Sequence, residues 1–356
     1  MTGPVDWGLA ERLALRLAGR EPFADSYHAS SLEPDFAELT ALAEQLVEQT
    51  TGLRSLHGPA RPRVADRPQW IRANIASFQR LLRPVLTKMD ELGSGVGSLP
   101  RQATAKISGA QVGTMLGWMS GRVLGQYDLL VVDDESATEQ DLVYYVGPNL
   151  LSLEKRFAFP PREFRLWIAL HEVTHRAQFT GVPWLRSYFL GLVEDLVGAV
   201  DPDPRHLAAS LRDTMRDGGR RALDDGGLLA VVASPEQRAA LAKIGGLMSL
   251  LEGHGDVTMD RAGAGLIPSA ERFHRVLRER RRAVSAPVKL LQRLTGISAK
   301  LAQYEQGEQF IAHIEAAAGD RAVDRCWTGP EMLPTLDEIR APQRWLERLG
   351  LPTATV

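Results

Sequence analysis

The chain has 356 residues, which is enough for one large domain or two of ordinary size. Its composition, with 44% hydrophobic and 24% charged residues and a net charge of −2, excludes a strongly basic nucleic-acid-binding chain. The single cysteine, Cys326, cannot form an intramolecular disulfide, and its place beside Trp327 favours a buried thiol. The N-terminal segment lacks the basic start and apolar run of a signal peptide, so we expect a cytoplasmic protein.

Hydrophobic periodicity predicts a mainly α-helical protein with little β-structure. The predicted helices, in chain order, cover residues 7–17, 36–49, 69–92, 162–180, 184–197, 235–261, 269–283 and 305–318. Two short runs of β-branched or aromatic residues, 129–132 and 142–146, predict a hairpin with a long loop. Breaks rich in proline and glycine are predicted at residues 58–62, 93–100 and 201–204.

A stripe of glycines runs through residues 107–125. Glycine recurs at every fourth position, at Gly109, Gly113, Gly117, Gly121 and Gly125. This spacing lets helices approach closely, either in a membrane or in the interior of a globular protein. Gln111 and Arg122 interrupt the apolar run, so a buried helix outside the membrane is favoured. Because each glycine costs a helix about 1 kcal/mol relative to alanine, we expect another element to pack tightly against the stripe.

The segment over residues 159–181 contains the motif that carries chemistry, His171-Glu172-Val173-Thr174-His175. In a helix, residues i and i+4 share a face, so His171 and His175 present two imidazoles to one point. That arrangement suits two ligands of Zn²⁺, and Glu172 can then reach a metal-activated water as general base. The alternative is an amphipathic helix with two surface histidines. The apolar neighbours of the motif predict a buried helix, which argues against that alternative.

A catalytic zinc needs a third protein ligand, and the best candidate is Glu252. Asp256 follows it by four residues on the same predicted helical face, where it can accept a hydrogen bond from a ligand histidine. His254 is the rival ligand, but it lies about 200° round the helix from Glu252 and cannot point at the same ion. We therefore interpret His254 as a substrate or oxyanion contact, or as a polar cap of the helix.

These residues resemble those of the zincin metallopeptidases, in the gluzincin arrangement in which a second helix supplies a glutamate ligand. The chain is also similar over nearly its whole length to the zincin-like hydrolases of actinobacteria, a branch of which is named for association with deazaflavin coenzyme biosynthesis. The segments that carry this similarity are VDWGLAERLA, GAQVGTMLGWMSGRVLGQYDLL, VGPNLLSLEKRFAFPPREFRLWIALHEVTHRAQF, LLEGHGDVTMD, LAQYEQGEQF and CWTGPEMLPTLDEI.

The resemblance implies a mainly helical zincin-like fold with a small β-hairpin or sheet and helical N- and C-terminal elaborations. We predict an N-terminal helical region over residues 1–105 and a zincin-like catalytic region over residues 106–356, together forming one compact unit. In zincins an edge strand before the motif helix pairs with an extended substrate. The run at 142–146 is either that edge strand, with Tyr144 and Tyr145 bordering the cleft, or a strand of the core.

The predicted function is that of a zinc-dependent metallopeptidase acting on a peptide or small amide substrate. Glu172 is the expected general base, and the developing oxyanion needs a donor, for which Tyr304, His274 and His254 are candidates. The basic cluster within residues 272–282 is interpreted as a solvated helical face, so neither nucleic acid nor membrane is an expected partner. The alternative function is a non-catalytic zincin-fold binding protein associated with coenzyme biosynthesis or regulation.

Overall fold

The structure is a computed structural model, and it is mostly helical. The described residues are 5–23, 26–91, 101–129, 141–198, 235–282 and 297–353. Within them, side chains are not described at residues 84–91, 101, 197–198, 235–236, 281–282 and 297–305.

The helices and strands fall in the following order along the described chain. They are α1 (Trp7–Ala18), α2 (Tyr27–Ser30), α3 (Leu32–Thr51), β1 (Arg61–Ala65), α4 (Arg67–Glu91), α5 (Arg101–Ser120), β2 (Gly125–Tyr127), β3 (Leu142–Val146), α6 (Gly147–Phe157), α7 (Pro161–Gly181), α8 (Leu185–Gly198), α9 (Pro235–Gly263), α10 (Ala270–Arg282), α11 (Ile297–Ala318), α12 (Leu336–Arg340) and α13 (Pro342–Arg348). Two 3₁₀ helices, Ala322–Trp327 and Pro330–Met332, precede α12.

The mainly helical fold is confirmed, and each of the eight predicted helices corresponds to an observed one. The largest difference is at α11, which begins at Ile297 rather than at residue 305. Helices α2, α6, α12 and α13 were not predicted, because at 4 to 11 residues they are too short for a clear periodic pattern.

The described chain divides into two compact units. The first comprises Met1–Ala177 and Ala262–Phe273, and the second comprises Gln178–Arg261 and His274–Val356. Helix α7 continues through residue 177, where the first unit ends, so the candidate motif lies in the first unit and the last turn of its helix in the second. The predicted boundary between residues 105 and 106 remains a prediction.

The first unit contains a three-stranded sheet in the order β1-β3-β2. Strand β3 pairs in parallel with β1 and antiparallel with β2, with Gly125 opposite Tyr145. Four of the five β3 residues are buried, as expected for a strand covered on both faces. One face carries Tyr145, which stacks on Phe36 of α3 at 3.8 Å between ring centroids. On the other face, Gln126 of β2 accepts a hydrogen bond from Trp70 Nε1 of α4 (2.8 Å).

The sequence predicted that 142–146 pairs with an antiparallel strand, and such a strand is present. It lies at a different position from the predicted strand, 129–132. The partner strand is Gly125–Tyr127, and Leu129 is not in a strand, while residues 130–132 lie outside the described part of the chain. Strand β3 lies in the centre of the described sheet, so the core interpretation of 142–146 is confirmed and the edge-strand interpretation is wrong. Strand β1 was missed because Pro62 reads as a break, although proline is tolerated in a strand at the edge of a sheet.

The predicted tight packing against the glycine stripe is present, and the packing element is α1. A Cβ atom at Gly109 would lie 2.3 Å from the backbone oxygen of Asp6, and one at Gly113 would lie 2.5 Å from that of Ala10. The helix ends at Ser120, so the last two glycines of the stripe are not helical. None of the helices within the described residues combines the length and apolar character needed to cross a membrane.

The second unit is built on an equally close helix pair, α9 with α11. A Cβ atom at Gly253 would lie 2.3 Å from the backbone carbon of Gly307, so the small residues of α9 allow α11 to approach. The C-terminal elements add Trp345, which packs edge-on against Phe310 of α11. Cys326 is buried as predicted, and burial raises the pKa of its thiol above the ordinary value.

Candidate metal centre

Helix α7 presents the two motif histidines from a largely buried position. Every residue from Phe164 to Leu170 is buried, so the motif is not on a solvated amphipathic helix. His171 and His175 are half-buried, and their Nε2 atoms lie 3.2 Å apart. Two nitrogen ligands bound tetrahedrally to zinc at 2.0–2.1 Å are themselves about 3.4 Å apart. The imidazole pair therefore already has the spacing of two zinc ligands.

Glu252 on α9 is the third member of the candidate centre. With one ligand atom taken from each of His171, His175 and Glu252, the three atoms all lie within 4.8 Å of one another. The Glu252 side chain is buried, with 8% of the residue exposed. Two imidazoles and a carboxylate form a donor set that suits Zn²⁺ and leaves a fourth position open. The residues present therefore fit the metal that the motif predicts.

Glu172, the predicted general base, is 7% exposed and lies against strand β2. A Cβ atom at Gly125 would lie only 2.6 Å from both Cγ and Oε1 of Glu172. The same carboxylate acts on Tyr145, whose pKa is raised chiefly by burial and also by the negative charge of Glu172. Tyr145 is therefore a neutral phenol, and its Oη lies 2.8 Å from Thr40 Oγ1. The sequence leaves Tyr145 either at the border of a cleft or in the core, and its full burial confirms the core position.

Two buried arginines fix helix α7 in the first unit, and neither was predicted from the sequence. Arg165 donates from Nε and Nη2 to the two carboxylate oxygens of Glu154 at 2.8 and 2.9 Å. Arg176 donates from Nη2 to Asp141 Oδ2 (2.7 Å) and from Nη1 to Glu44 Oε1 (2.8 Å). Arginine on an otherwise apolar helix was the available signal, because a buried guanidinium must be paired.

His254 occupies a buried position between Gln178 and Trp327. Its Nδ1 atom lies 2.9 Å from Nε2 of Gln178, which also donates to the backbone oxygen of Leu251 at 3.0 Å. Its ring packs edge-on against Trp327, at 5.0 Å between centroids. A contact of His254 with substrate or oxyanion stays a prediction.

The remaining predicted site residues have different placements. Asp256 is half-buried on α9, one turn after Glu252, and its support of a ligand histidine stays a prediction. Tyr304 falls in α11 among the residues whose side chains are outside the described set. His274 on α10 contacts the carboxylate of Asp260, with Nε2 and Oδ1 at 2.8 Å.

A His₂Glu donor set with a second glutamate beside it is typical of metal-dependent hydrolases. The family model described as Zincin-like metallopeptidase matches residues 5–346, and the chain belongs to this family. Among solved structures, the chain is similar to a protein from Chloroflexus aurantiacus that is described, provisionally, as a hydrolase with a novel fold. The two share 33% identity with a TM-score of 0.71, over 97% of this chain and 99% of the other. No curated protein matches the sequence.

Proposed function

We propose that this protein is a zinc-dependent metallopeptidase that hydrolyses peptide or small amide bonds. His171, His175 and Glu252 are the zinc ligands in this proposal, and Glu172 is the general base. The observation that carries the proposal is the placement of three ligand atoms within 4.8 Å, with the Glu172 carboxylate on the same helix as two of them.

The chemistry divides between the metal and the chain. Bound zinc supplies a Lewis acid that polarises a carbonyl and lowers the pKa of water toward about 7. Glu172 accepts the proton of the attacking water and then delivers it to the departing amine. A structural metal site has no use for a base at this position.

Strand β2 is the part of the sheet that suits an extended substrate. Val146 N donates to Leu124 O (2.8 Å) and Asp128 N donates to Leu142 O (2.9 Å). These bonds show which residue pairs of β2 and β3 are hydrogen-bonded to each other and which alternate pairs are not. In that alternation the backbone N–H and C=O of Gly125 point away from β3. Gly125 also adjoins Glu172, so a peptide added along β2 lies next to the general base. The sequence suggested this role for 142–146 as one of two alternatives, and we propose it instead for β2.

The proposal also includes a cellular setting. The one cysteine, Cys326, is buried and free, so the fold needs no oxidising compartment, and a cytoplasmic location fits. The actinobacterial origin and the association with deazaflavin coenzyme biosynthesis, both implied by the resemblance, stay predictions.

Metal analysis combined with peptide hydrolysis tests the proposal. We expect close to one zinc per chain in the wild type and in Glu172→Gln, and a large loss of zinc in His175→Ala. His57→Ala is the matched control, because His57 is exposed and distant in sequence from the motif, and it should retain zinc. On a fluorogenic peptide library, Glu172→Gln should lower kcat by about 10²- to 10⁴-fold, the usual contribution of a general base.

The outcomes separate the two candidate functions. Zinc binding with equal hydrolysis by wild type and Glu172→Gln would show that the mechanism is wrong. Zinc binding with no hydrolysis in either protein would favour the non-catalytic zincin-fold binding protein.

A further inference from the structure

We propose that Gly125 is a positioning residue for Glu172. The absence of a side chain at position 125 leaves the space that the Glu172 carboxylate occupies, and thereby sets the place of the general base. This inference rests on the proposed function for its catalytic meaning, while the steric contact on which it depends can be tested without any substrate.

The closest contacts of a Cβ atom at position 125 are all with one side chain. The three heavy atoms nearest to a Cβ atom at position 125 are Cγ, Oε1 and Cδ of Glu172, at 2.6, 2.6 and 2.8 Å. All three distances are below the 3.4–4 Å of ordinary van der Waals contact. The backbone of Gly125 does not require glycine for its own sake, because Gly125 is not among the glycines with positive φ. The tightest steric requirement for glycine here therefore comes from Glu172.

Strand β2 cannot withdraw to relieve a clash at this position. It is paired with β3 on one side, and the side chain of the next residue, Gln126, binds α4. Gln126 Oε1 accepts from Trp70 Nε1 at 2.8 Å, and its Nε2 donates to Asn74 Oδ1 at 3.1 Å. With the strand held from both directions, an added methyl group is accommodated by rotation of the flexible Glu172 side chain.

This situation differs from that of the helix-packing glycines. A Cβ atom at Gly113 meets backbone atoms of Ala10, which can move only if a whole helix moves. A Cβ atom at Gly125 meets side-chain atoms of Glu172, which can rotate without movement of the backbone, so the protein can keep its fold while its carboxylate is displaced. Alanine at position 125 should therefore impair the chemistry far more than the fold.

The first experiment compares Gly125→Ala with Gly191→Ala in the full chain. Gly191 lies on α8, where an added Cβ atom would have no neighbour within 4 Å, and its φ is not positive, so it controls for a glycine-to-alanine change in open space. On the library peptide that the wild type hydrolyses fastest, we expect Gly125→Ala to lower kcat by about 10²-fold with little change in KM. Zinc content should match the wild type in both variants. Full kcat in Gly125→Ala would overturn the proposal.

The second experiment is a thermal double-mutant cycle with Glu172→Ala, which removes the atoms that meet the added methyl group. Displacement of the buried Glu172 side chain should still cost some stability, so we expect Gly125→Ala to lower the Tm of the wild type measurably and to leave the Tm of Glu172→Ala unaltered. An equal loss of Tm in both backgrounds would overturn the proposal, because position 125 would then require glycine for another reason.

The cycle also separates this proposal from the proposed function. If the wild type hydrolyses no peptide, the proposed function fails, and the cycle alone decides whether Gly125 sets the place of Glu172. In that case the proposal would also be overturned if Gly125→Ala left the Tm unchanged in both the wild type and Glu172→Ala.

Discussion

Arg176 follows the second candidate zinc ligand, His175, directly in the chain, and only 1% of it is exposed. Its guanidinium binds the carboxylates of Asp141 and Glu44 and the backbone oxygen of Gly58. Asp141 is the residue before strand β3, so one side chain joins the motif helix to the start of the central strand. The position of His175 therefore depends on a buried ion pair as well as on apolar packing.

Replacing Arg176 with methionine should destabilise the protein by about 3–5 kcal/mol, because it leaves the Asp141 carboxylate buried without its cation. The free energy of unfolding from urea titrations measures this effect. We also expect a loss of zinc content, since the turn that carries His175 is no longer fixed.

Arg162→Met is the matched control for this prediction. Arg162 lies on the same helix and pairs with Glu38, but both side chains are at least 60% exposed. Solvent screens such a pair, so its loss should have little effect on stability. Equal destabilisation by the two substitutions would contradict the structural role assigned to Arg176.

At the scale of elements, the contact of α1 with α5 depends on glycine. Gly113→Ala places a Cβ atom 2.5 Å from the backbone oxygen and 2.9 Å from Cα of Ala10. Overpacking of this kind costs about 1–3 kcal/mol, which exceeds the gain of up to about 1 kcal/mol from the higher helix propensity of alanine. The same substitution at Gly191, which faces open space on α8, should stabilise the protein by up to about 1 kcal/mol. In urea titrations, we expect Gly113→Ala to lower the free energy of unfolding and Gly191→Ala to raise it. A higher free energy of unfolding for Gly113→Ala would contradict the close contact.

The elements that the sequence predicted well are those with a regular hydrophobic period. Helix α7 was predicted over 162–180 and extends over Pro161–Gly181, because its start and end carry proline and glycine signals. Strands β1 and β2 were missed or misplaced, since Pro62 and Gly125 disfavour strand locally. Their positions are set by pairing with β3, and such long-range pairing leaves no local pattern.

In the candidate site, too, the sequence predicted local relations but not contacts between distant residues. The spacing of His171 and His175 was enough to predict them as a pair of ligands. Glu252 was favoured as the third ligand by its i, i+4 relation to Asp256 and by the resemblance to the gluzincins. Gly125 was assigned to a helix-packing stripe, because nothing in its local sequence indicates that it faces Glu172. Contacts between residues far apart in the chain are not readable from one sequence, whereas ligands one helical turn apart are.

At the scale of the whole molecule, the family model matches residues 5–346, a range that contains all three residues of the candidate metal centre. The candidate ligands come from α7 and α9, two helices that are separated along the chain by α8 and by residues 199–234. A zinc ion held by both would bind the folded protein and not the unfolded chain. Such binding adds RT ln(1 + [Zn²⁺]/Kd) to the free energy of unfolding.

Removal of zinc should therefore lower the Tm. At a free zinc concentration about 100 times Kd the added stability is about 2.7 kcal/mol, which corresponds to a shift of several degrees. We expect EDTA to produce this shift in the wild type and in Glu172→Gln, which keeps all three ligands, and to leave the Tm of His175→Ala almost unchanged. Added Zn²⁺ should reverse the shift, while Mg²⁺ should not, because Mg²⁺ prefers six oxygen ligands over two imidazoles and a carboxylate. An equal response of His175→Ala to EDTA would mean that any stabilising metal is bound elsewhere, and the ligand assignment would then fail even if the fold and the family stand.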